Sequence, residues 1–526
     1  MPDPNLEIYD TTLRDGSQQE GISLTVGDKL RIAGLLDDLG VDYVEGGWPG
    51  ALPKDDAFFA RAQKELDFRH ATLVAFGSTR RPQVASSDDQ QLQALIAADT
   101  STICIVGKAW DYHVKEALRT DLDEGLRMVS DSISYLRHHD RRVFFDAEHF
   151  FDGYQANSEY ALRVLRSALE AGAERLVLCD TNGGTLPHQI IDVIGKVSAE
   201  LPEAEIGVHF HNDSGCAVAS SLAAVQAGAR QIQGCINGYG ERTGNADLCS
   251  IIPDLVLKMG IPVLSRDRLA ALAPTSHHVA EIVNIALDPH RPYVGSSAFT
   301  HKAGLHTSAL ARRPDAYEHT PPGGVGNFTR MVVSEQAGRA AVMRKASELG
   351  LELSEEDARL VLARVKELEH RGYQFEAADG SFELLIRRTL GWQQDYFQLE
   401  SFRTFVERSA SGKVVAEATV KLMVGEERLV TTGEGNGPVN ALDQALRAAL
   451  RGHYPALDGL RLTDYRVRVL DSSDGTGATV RVLLETSDGD WSWTTLGVHE
   501  NVIEASWEAL VDGIVIGLLR QPPVAN

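Results

Sequence analysis

Eight short apolar runs, about thirty residues apart, constrain what this chain can fold into more than any other feature. They begin at Leu6 ("LEIYD"), Asp42 ("DYVEG"), Ala71 ("ATLVAF"), Ser101 ("STICIVG"), Arg142 ("RVFFDAEHF"), Glu174 ("ERLVLCDT"), Glu205 ("EIGVHFH") and Arg230 ("RQIQGCIN"). Amphipathic stretches such as "VGDKLRIAGLLDDLG" and "SEYALRVLRSALEAGAE" fill the intervals. Near-continuous apolar strands are buried on both faces, and their alternation with helices makes them parallel. Eight such units within roughly 250 residues predict a closed (β/α)8 barrel. A doubly wound open sheet is the alternative arrangement of the same units.

The rhythm stops near residue 265, so residues 1–265 form the expected barrel. Residues 266–384 read as helical subdomains, with "SEEDARLVLARVKELEHRG" as the clearest helix. Residues 385–526 mix alternating segments such as "GKVVAEATVKLMVG" with the helices "NALDQALRAAL" and "NVIEASWEALVDGIVIGLLR". That pattern predicts a separate α+β domain. Within it "TTGEGNGPVN" has neither P-loop nor Rossmann spacing and reads as turns, with an effector-binding loop as the alternative.

Composition narrows the partners. A net charge of −23 opposes nucleic acid and anionic membrane surfaces. Anionic substrates would have to be attracted locally, by a metal or an arginine. Five cysteines scatter without a CxxC pair, as expected of reduced thiols in a cytoplasmic enzyme. "MPDPNLEIYD" lacks the apolar core of a signal peptide, and no run is long and apolar enough to span a bilayer.

Polar residues collect where a barrel keeps its reactive groups, at the C-terminal ends of the strands. They are Asp10, Glu45, Asp146 with Glu148, Asp180 with Thr181, and His209 with His211. In a strand, i and i+2 share a face, so the two histidines of "VHFHND" look the same way. A lone histidine on an apolar face is ordinarily a core residue. A pair at a barrel mouth, with carboxylates on neighbouring strands, points to a divalent metal. Asp15 is the candidate carboxylate ligand and Asn245 a candidate side-chain oxygen. Nitrogen ligands favour Zn²⁺ or Mn²⁺, whereas oxygen ligands and open positions admit Mg²⁺. Arg14 beside Asp15 suits a 2-oxo acid that chelates the metal and then develops an alkoxide. Glu45 and Asp146 are candidate substrate-binding residues too; the structural alternatives are Arg14 as an internal salt-bridge partner, with Glu45 and Asp146 as carboxylates that order it.

"YDTTLRDGSQQEG", "VHFHND" and "GYGERTGNADL" resemble the signatures of the metal-dependent Claisen-condensing barrels, the 2-isopropylmalate, homocitrate and citramalate synthase family. The likeness extends over nearly the whole chain. "VEGGWPGALPKDDAFF", "FTHKAGLHTSALARRPDAYEHTPPGGVGN" and "EGNGPVNALDQALR" are most similar to its citramalate branch. The resemblance implies an acyltransferase that condenses acetyl-CoA with pyruvate and water to give (R)-citramalate and CoA, in isoleucine biosynthesis. It implies Asp15, His209 and His211 as metal ligands, with Asn245 close by or ligating. Arg14 would hold the oxo group, Glu148 would help to activate acetyl-CoA, and Thr181 would bind the oxo-acid carboxylate. His306 and Tyr317 would join the active site of the other subunit of a homodimer, with His301 as the alternative histidine. The last domain resembles the family's regulatory domain, with isoleucine as the implied effector. The rivals are another 2-oxo acid acceptor (2-oxoisovalerate or 2-oxoglutarate), a metal-dependent lyase or aldolase on the same barrel, and a barrel that only binds.

Overall fold

The computed structural model describes residues 6–301, 313, 317–331, 339–394, 396–408, 410–470, 477–489 and 491–520. Eight parallel strands close into one barrel in sequence order: β1 Glu7–Asp10, β2 Tyr43–Gly47, β3 Thr72–Ser78, β4 Thr102–Lys108, β5 Arg142–Glu148, β6 Arg175–Asp180, β7 Ile206–Phe210 and β8 Gln231–Gly234. β1 seals against β8 from Glu7–Gln231 to Asp10–Gly234. The closed barrel is therefore the fold, and the open sheet is excluded. Each strand starts within one residue of its apolar run.

Alternation along the strands sorts their side chains. On β4 and β5, Ile103, Ile105, Val143 and Phe145 join the large buried cluster shared with the surrounding helices. Cys104 and Phe144 alternate with them and meet Tyr9, Tyr43, Val74 and Phe76 in a second cluster inside the barrel. Below this aromatic layer, the amino-terminal end is closed by Glu7, which accepts from Arg175, Gln231 and Tyr43. Above it lies the polar mouth. The helices start at defined points: Thr25 and Asp28 form a capping box for Val26–Leu39, and Asp89 and Asp121 cap Gln90–Ala97 and Leu122–His138. Such caps stabilise by about 1 kcal/mol each and fix where the mouth loops end.

Contacts divide the chain into two units, residues 1–299 with 318–329, and residues 300–317 with 330–526. The second contains a short parallel pair, β9 Thr300–His301 and β10 Arg330–Met331. It also contains the helices Arg339–Glu348, Glu355–His370 and Asp379–Thr389. Two antiparallel sheets follow: β11 Gln398–Arg408, β12 Val414–Val424 and β13 Glu427–Gly435, then β14 Arg461–Val469, β15 Val480–Ser487 and β16 Ser492–His499. Each is succeeded by a helix, Pro438–Leu450 and Val502–Leu519 respectively. The reading of "TTGEGNGPVN" as turns is corrected here. Thr431 to Gly435 end β13, and Pro438 already opens the next helix. Gly433 and Gly435 serve close packing: a Cβ on Gly433 would lie 2.5 Å from the Ala445 nitrogen, and one on Gly435 2.5 Å from Asn440 Oδ1.

Candidate active site

Asp15, on the loop after β1, meets His209 of β7 and His211 just beyond it. Asp15 Oδ2 lies 3.3 Å from His209 Nε2 and 4.0 Å from His211 Nε2, and all three residues are buried. Their ligand atoms fall within 4.8 Å of one another. Burial pushes the Asp15 carboxyl up, but Arg14 and the two imidazoles outweigh it and hold it well below the usual carboxylate range. Burial and the neighbouring His209 lower His211 to about 4, so it is neutral near pH 7, as a ligand must be.

The donor set fits a divalent cation on two further observations. The Gln233 amide nitrogen donates to Asp146 Oδ1 at 3.0 Å, which turns its carbonyl toward His209 Nδ1 at 3.1 Å. Nδ1 therefore carries the hydrogen and Nε2 is left as the ligand atom, the usual outer support of a metal-bound histidine. Asn245 is bridged to His211 across the loop after β8. Its amide nitrogen donates to the Tyr239 carbonyl at 3.0 Å, while its Oδ1 is buried without a hydrogen-bond partner. A buried acceptor left unpaired costs about 1–3 kcal/mol, and a cation would offset that cost.

Arg14 is held on three sides. It donates through Nε to Glu45 and through Nη1 to Asp15 Oδ2 at 3.0 Å, and its guanidinium lies 3.7 Å over the Phe76 ring. Glu45 also accepts from the Tyr9 hydroxyl at 2.7 Å and is fully buried. Both Glu45 oxygens are thus occupied, which suits a carboxylate that orders Arg14. Asp146 lines the mouth cavity and accepts from Gln233 and from the Cys104 thiol.

That cavity measures about 380 Å³ and is lined by Arg14, Asp15, Trp48, Asp146, Glu148, Thr181, His209 and His211 among others. Glu148 pairs with Lys108 at the end of β4. Thr181 Oγ1 accepts from the His149 amide at 3.0 Å. Asn245 is buried but does not line the cavity. His306 lies outside the described residues. His301 and Tyr317 belong to the second unit, where Tyr317 is 46% exposed.

Sequence reasoning passed over Gln233 and Lys108. Gln233 and Lys108 sit in or at the end of an apolar strand run, and a polar residue in that position was the available signal. Trp48 lies in the segment "VEGGWPGALPKDDAFF" that resembles the citramalate branch, and the structure places it in the cavity wall.

The whole chain has relatives of the same architecture. Residues 5–275 match the family described as HMGL-like, 293–373 the homocitrate synthase post-HMGL domain-like family, and 376–517 the LeuA allosteric (dimerisation) domain. An (R)-citramalate synthase of Streptomyces coelicolor is 54% identical over 98% of this chain and 97% of its own length. One from Aquifex aeolicus is 51% identical over 98% of each chain. The chain belongs to the (R)-citramalate synthase family. Distance does not dissolve the match: the Sulfolobus acidocaldarius family member is still 45% identical over 97% of this chain and 96% of its own. A probable 2-isopropylmalate synthase of Methanopyrus kandleri falls to 32% over 98% of each chain. Among the described residues no helix is long and apolar enough to cross a membrane.

Proposed function

We propose that this chain transfers the acetyl group of acetyl-CoA onto pyruvate, with hydrolysis of the thioester, to give (R)-citramalate and CoA. The observation that carries the reading is 54% identity along nearly the full chain to an (R)-citramalate synthase. The mouth geometry supports it. Asp15, His209 and His211 would hold a Mn²⁺, Mg²⁺ or Zn²⁺ ion, with Asn245 as a further oxygen ligand. Such an ion supplies Lewis-acid polarisation of the pyruvate carbonyl.

The chain's own residues do the rest. Arg14, immobilised by Glu45, Asp15 and Phe76, presents a fixed cation to the oxo oxygen and to the alkoxide that forms from it. Thr181 binds the carboxylate of the oxo acid. His306 takes the proton from the acetyl methyl group, with Glu148 assisting, and both His306 and Tyr317 join the site of the other subunit of a homodimer. The enolate then forms the new carbon–carbon bond at the pyruvate C2, and water releases CoA. Asp146 acts through Gln233 to keep His209 in one tautomer.

The match to a LeuA allosteric (dimerisation) domain supports a regulated homodimer; isoleucine as its effector, and a place in isoleucine biosynthesis in the cytoplasm, belong to the same proposal. CoA release, followed with a thiol reagent, tests the whole reading. Metal-dependent release with pyruvate, and little with 2-oxoisovalerate or 2-oxoglutarate, is expected. Preference for 2-oxoisovalerate would transfer the protein to 2-isopropylmalate formation. An isoleucine titration that leaves activity flat up to millimolar concentration would remove feedback control.

A further inference from the structure

The half-buried indole of Trp48 forms part of the cavity wall beside Phe76 and Arg14. It is fixed from outside the barrel. Its backbone nitrogen donates to Asp55 Oδ2 at 2.8 Å, and Asp55 is paired with the buried Lys29, whose ammonium also donates to the Gly46 carbonyl at 3.1 Å. Gly47 makes this turn possible. Its φ is 147°, and a Cβ there would lie 2.6 Å from Asp55 Cγ.

The ring itself is held by Gln91, which does not line the cavity. Gln91 lies on the helix Gln90–Ala97, outside the strand wall. Its carbonyl accepts from the indole Nε1–H, and its amide nitrogen donates to the Pro49 carbonyl at 3.0 Å. An indole N–H only donates and a carbonyl only accepts, so the amide has one satisfactory orientation and the indole one seat. The seated ring meets Phe76 edge-on, with centroids 5.2 Å apart at 85°, and the other partner of Phe76 is the Arg14 guanidinium. A chain of contacts thus runs from an outer helix through Gln91, Trp48 and Phe76 to the cation beside the metal ligands.

We propose that Gln91 sets the size limit of the acyl acceptor by locking the Trp48 indole as the wall against which the alkyl group of a 2-oxo acid rests. The inference rests on the acceptor reading given above. An apolar wall separates substrates differing by one methylene by roughly 10–200-fold, and only if the wall cannot swing aside. With its N–H unpaired, the indole loses its fixed rotamer and the pocket admits a longer chain. Gln91 is a positioning residue: it touches no reacting atom.

The test is acceptor selectivity, the kcat/KM for 2-oxobutyrate divided by that for pyruvate, in Gln91→Met, Gln91→Glu, Trp48→Phe and the double variant Gln91→Met/Trp48→Phe. Gln91→Met is expected to raise the ratio about tenfold, part of the range an apolar pocket commands. Gln91→Glu keeps an acceptor for the indole but sets a carboxylate against the Pro49 carbonyl, and should raise it less. Trp48→Phe should raise the ratio too, and adding Gln91→Met to it should change little further, because the residue Gln91 acts through is gone. An unchanged ratio in folded Gln91→Met, or effects that add in the double variant, overturns the proposal. The same ratio measured as dissociation constants of the two oxo acids, by calorimetry on metal-loaded protein, decides the matter without turnover. Wild-type protein that releases no CoA with any acceptor therefore refutes the reaction and leaves the binding ratio to judge Gln91.

Discussion

Replacing Gln233 by methionine isolates the support of the candidate metal site from the site itself. Gln233 is fully buried, does not line the mouth cavity, and makes two side-chain hydrogen bonds, from Nε2 to Asp146 Oδ1 at 3.0 Å and between Oε1 and His209 Nδ1 at 3.1 Å. Methionine keeps the volume and removes both. The His209 ring then loses the acceptor that selects its Nδ1–H tautomer, and Asp146 keeps only the Cys104 thiol. Loss of one such outer partner typically weakens metal binding by about 10–100-fold. That equals roughly 1.4–2.7 kcal/mol, within the range for a hydrogen bond to a charged group. Calorimetric titration with Mn²⁺ measures it directly. Gln231→Met is the matched control, because Gln231 is equally buried on the same strand but bonds Glu7 at the closed end of the barrel. Gln233→Met, which removes two side-chain hydrogen bonds, should lose at least as much thermal stability as Gln231→Met, which removes one, and only Gln233→Met should lose metal affinity. Metal affinity within about threefold of wild type in Gln233→Met, a small fraction of the change expected on outer-partner loss, refutes the role given to Gln233.

Asp15→Asn should abolish the rise in melting temperature that Mn²⁺ gives the wild-type protein, and should bring activity down to the level seen with excess chelator. Ligand-linked stabilisation vanishes when the bound state does. Glu124→Gln should cost about 1–3 kcal/mol at pH 7, because the Arg80 hydrogen bond, with help from Arg127, holds Glu124 down at about 2. A depressed carboxyl stabilises fully above its unfolded pKa and loses that stabilisation as pH falls through the folded one. Denaturant midpoints of the two proteins should therefore converge between about pH 4.5 and pH 2. Gly47→Ala should lower the melting temperature by several degrees, since a Cβ at φ 147° costs about 1–3 kcal/mol even before it meets Asp55.

The barrel was legible because each strand needs the same thing from its sequence. A strand covered by helices outside and by other strands' side chains inside must be apolar throughout, and that leaves a mark every thirty residues or so. The candidate metal site was legible for a related reason. His209 and His211 share a face by strand periodicity alone, and Asp15 and Arg14 follow directly on the end of β1.

The count of eight units predicted closure, but which residues pair and what supports them came only with the tertiary structure. The seal of β1 on β8 brings together residues more than two hundred positions apart, and no local pattern distinguishes it from an open edge. Gln233 finds Asp146 across 87 positions, and Gln91 finds Trp48 across 43. Both look like ordinary polar residues in a strand or on a helix. Even Gly433 and Gly435 misled, because a glycine that makes room for a packed helix cannot be told from one that makes a turn until the helix is in place. The sequence by itself determined which polar side chains gather at the barrel mouth, through periodicity and position at strand ends. Which of them are held still, by what, and in which tautomer was decided by contacts between distant segments, which exist only once the barrel has closed.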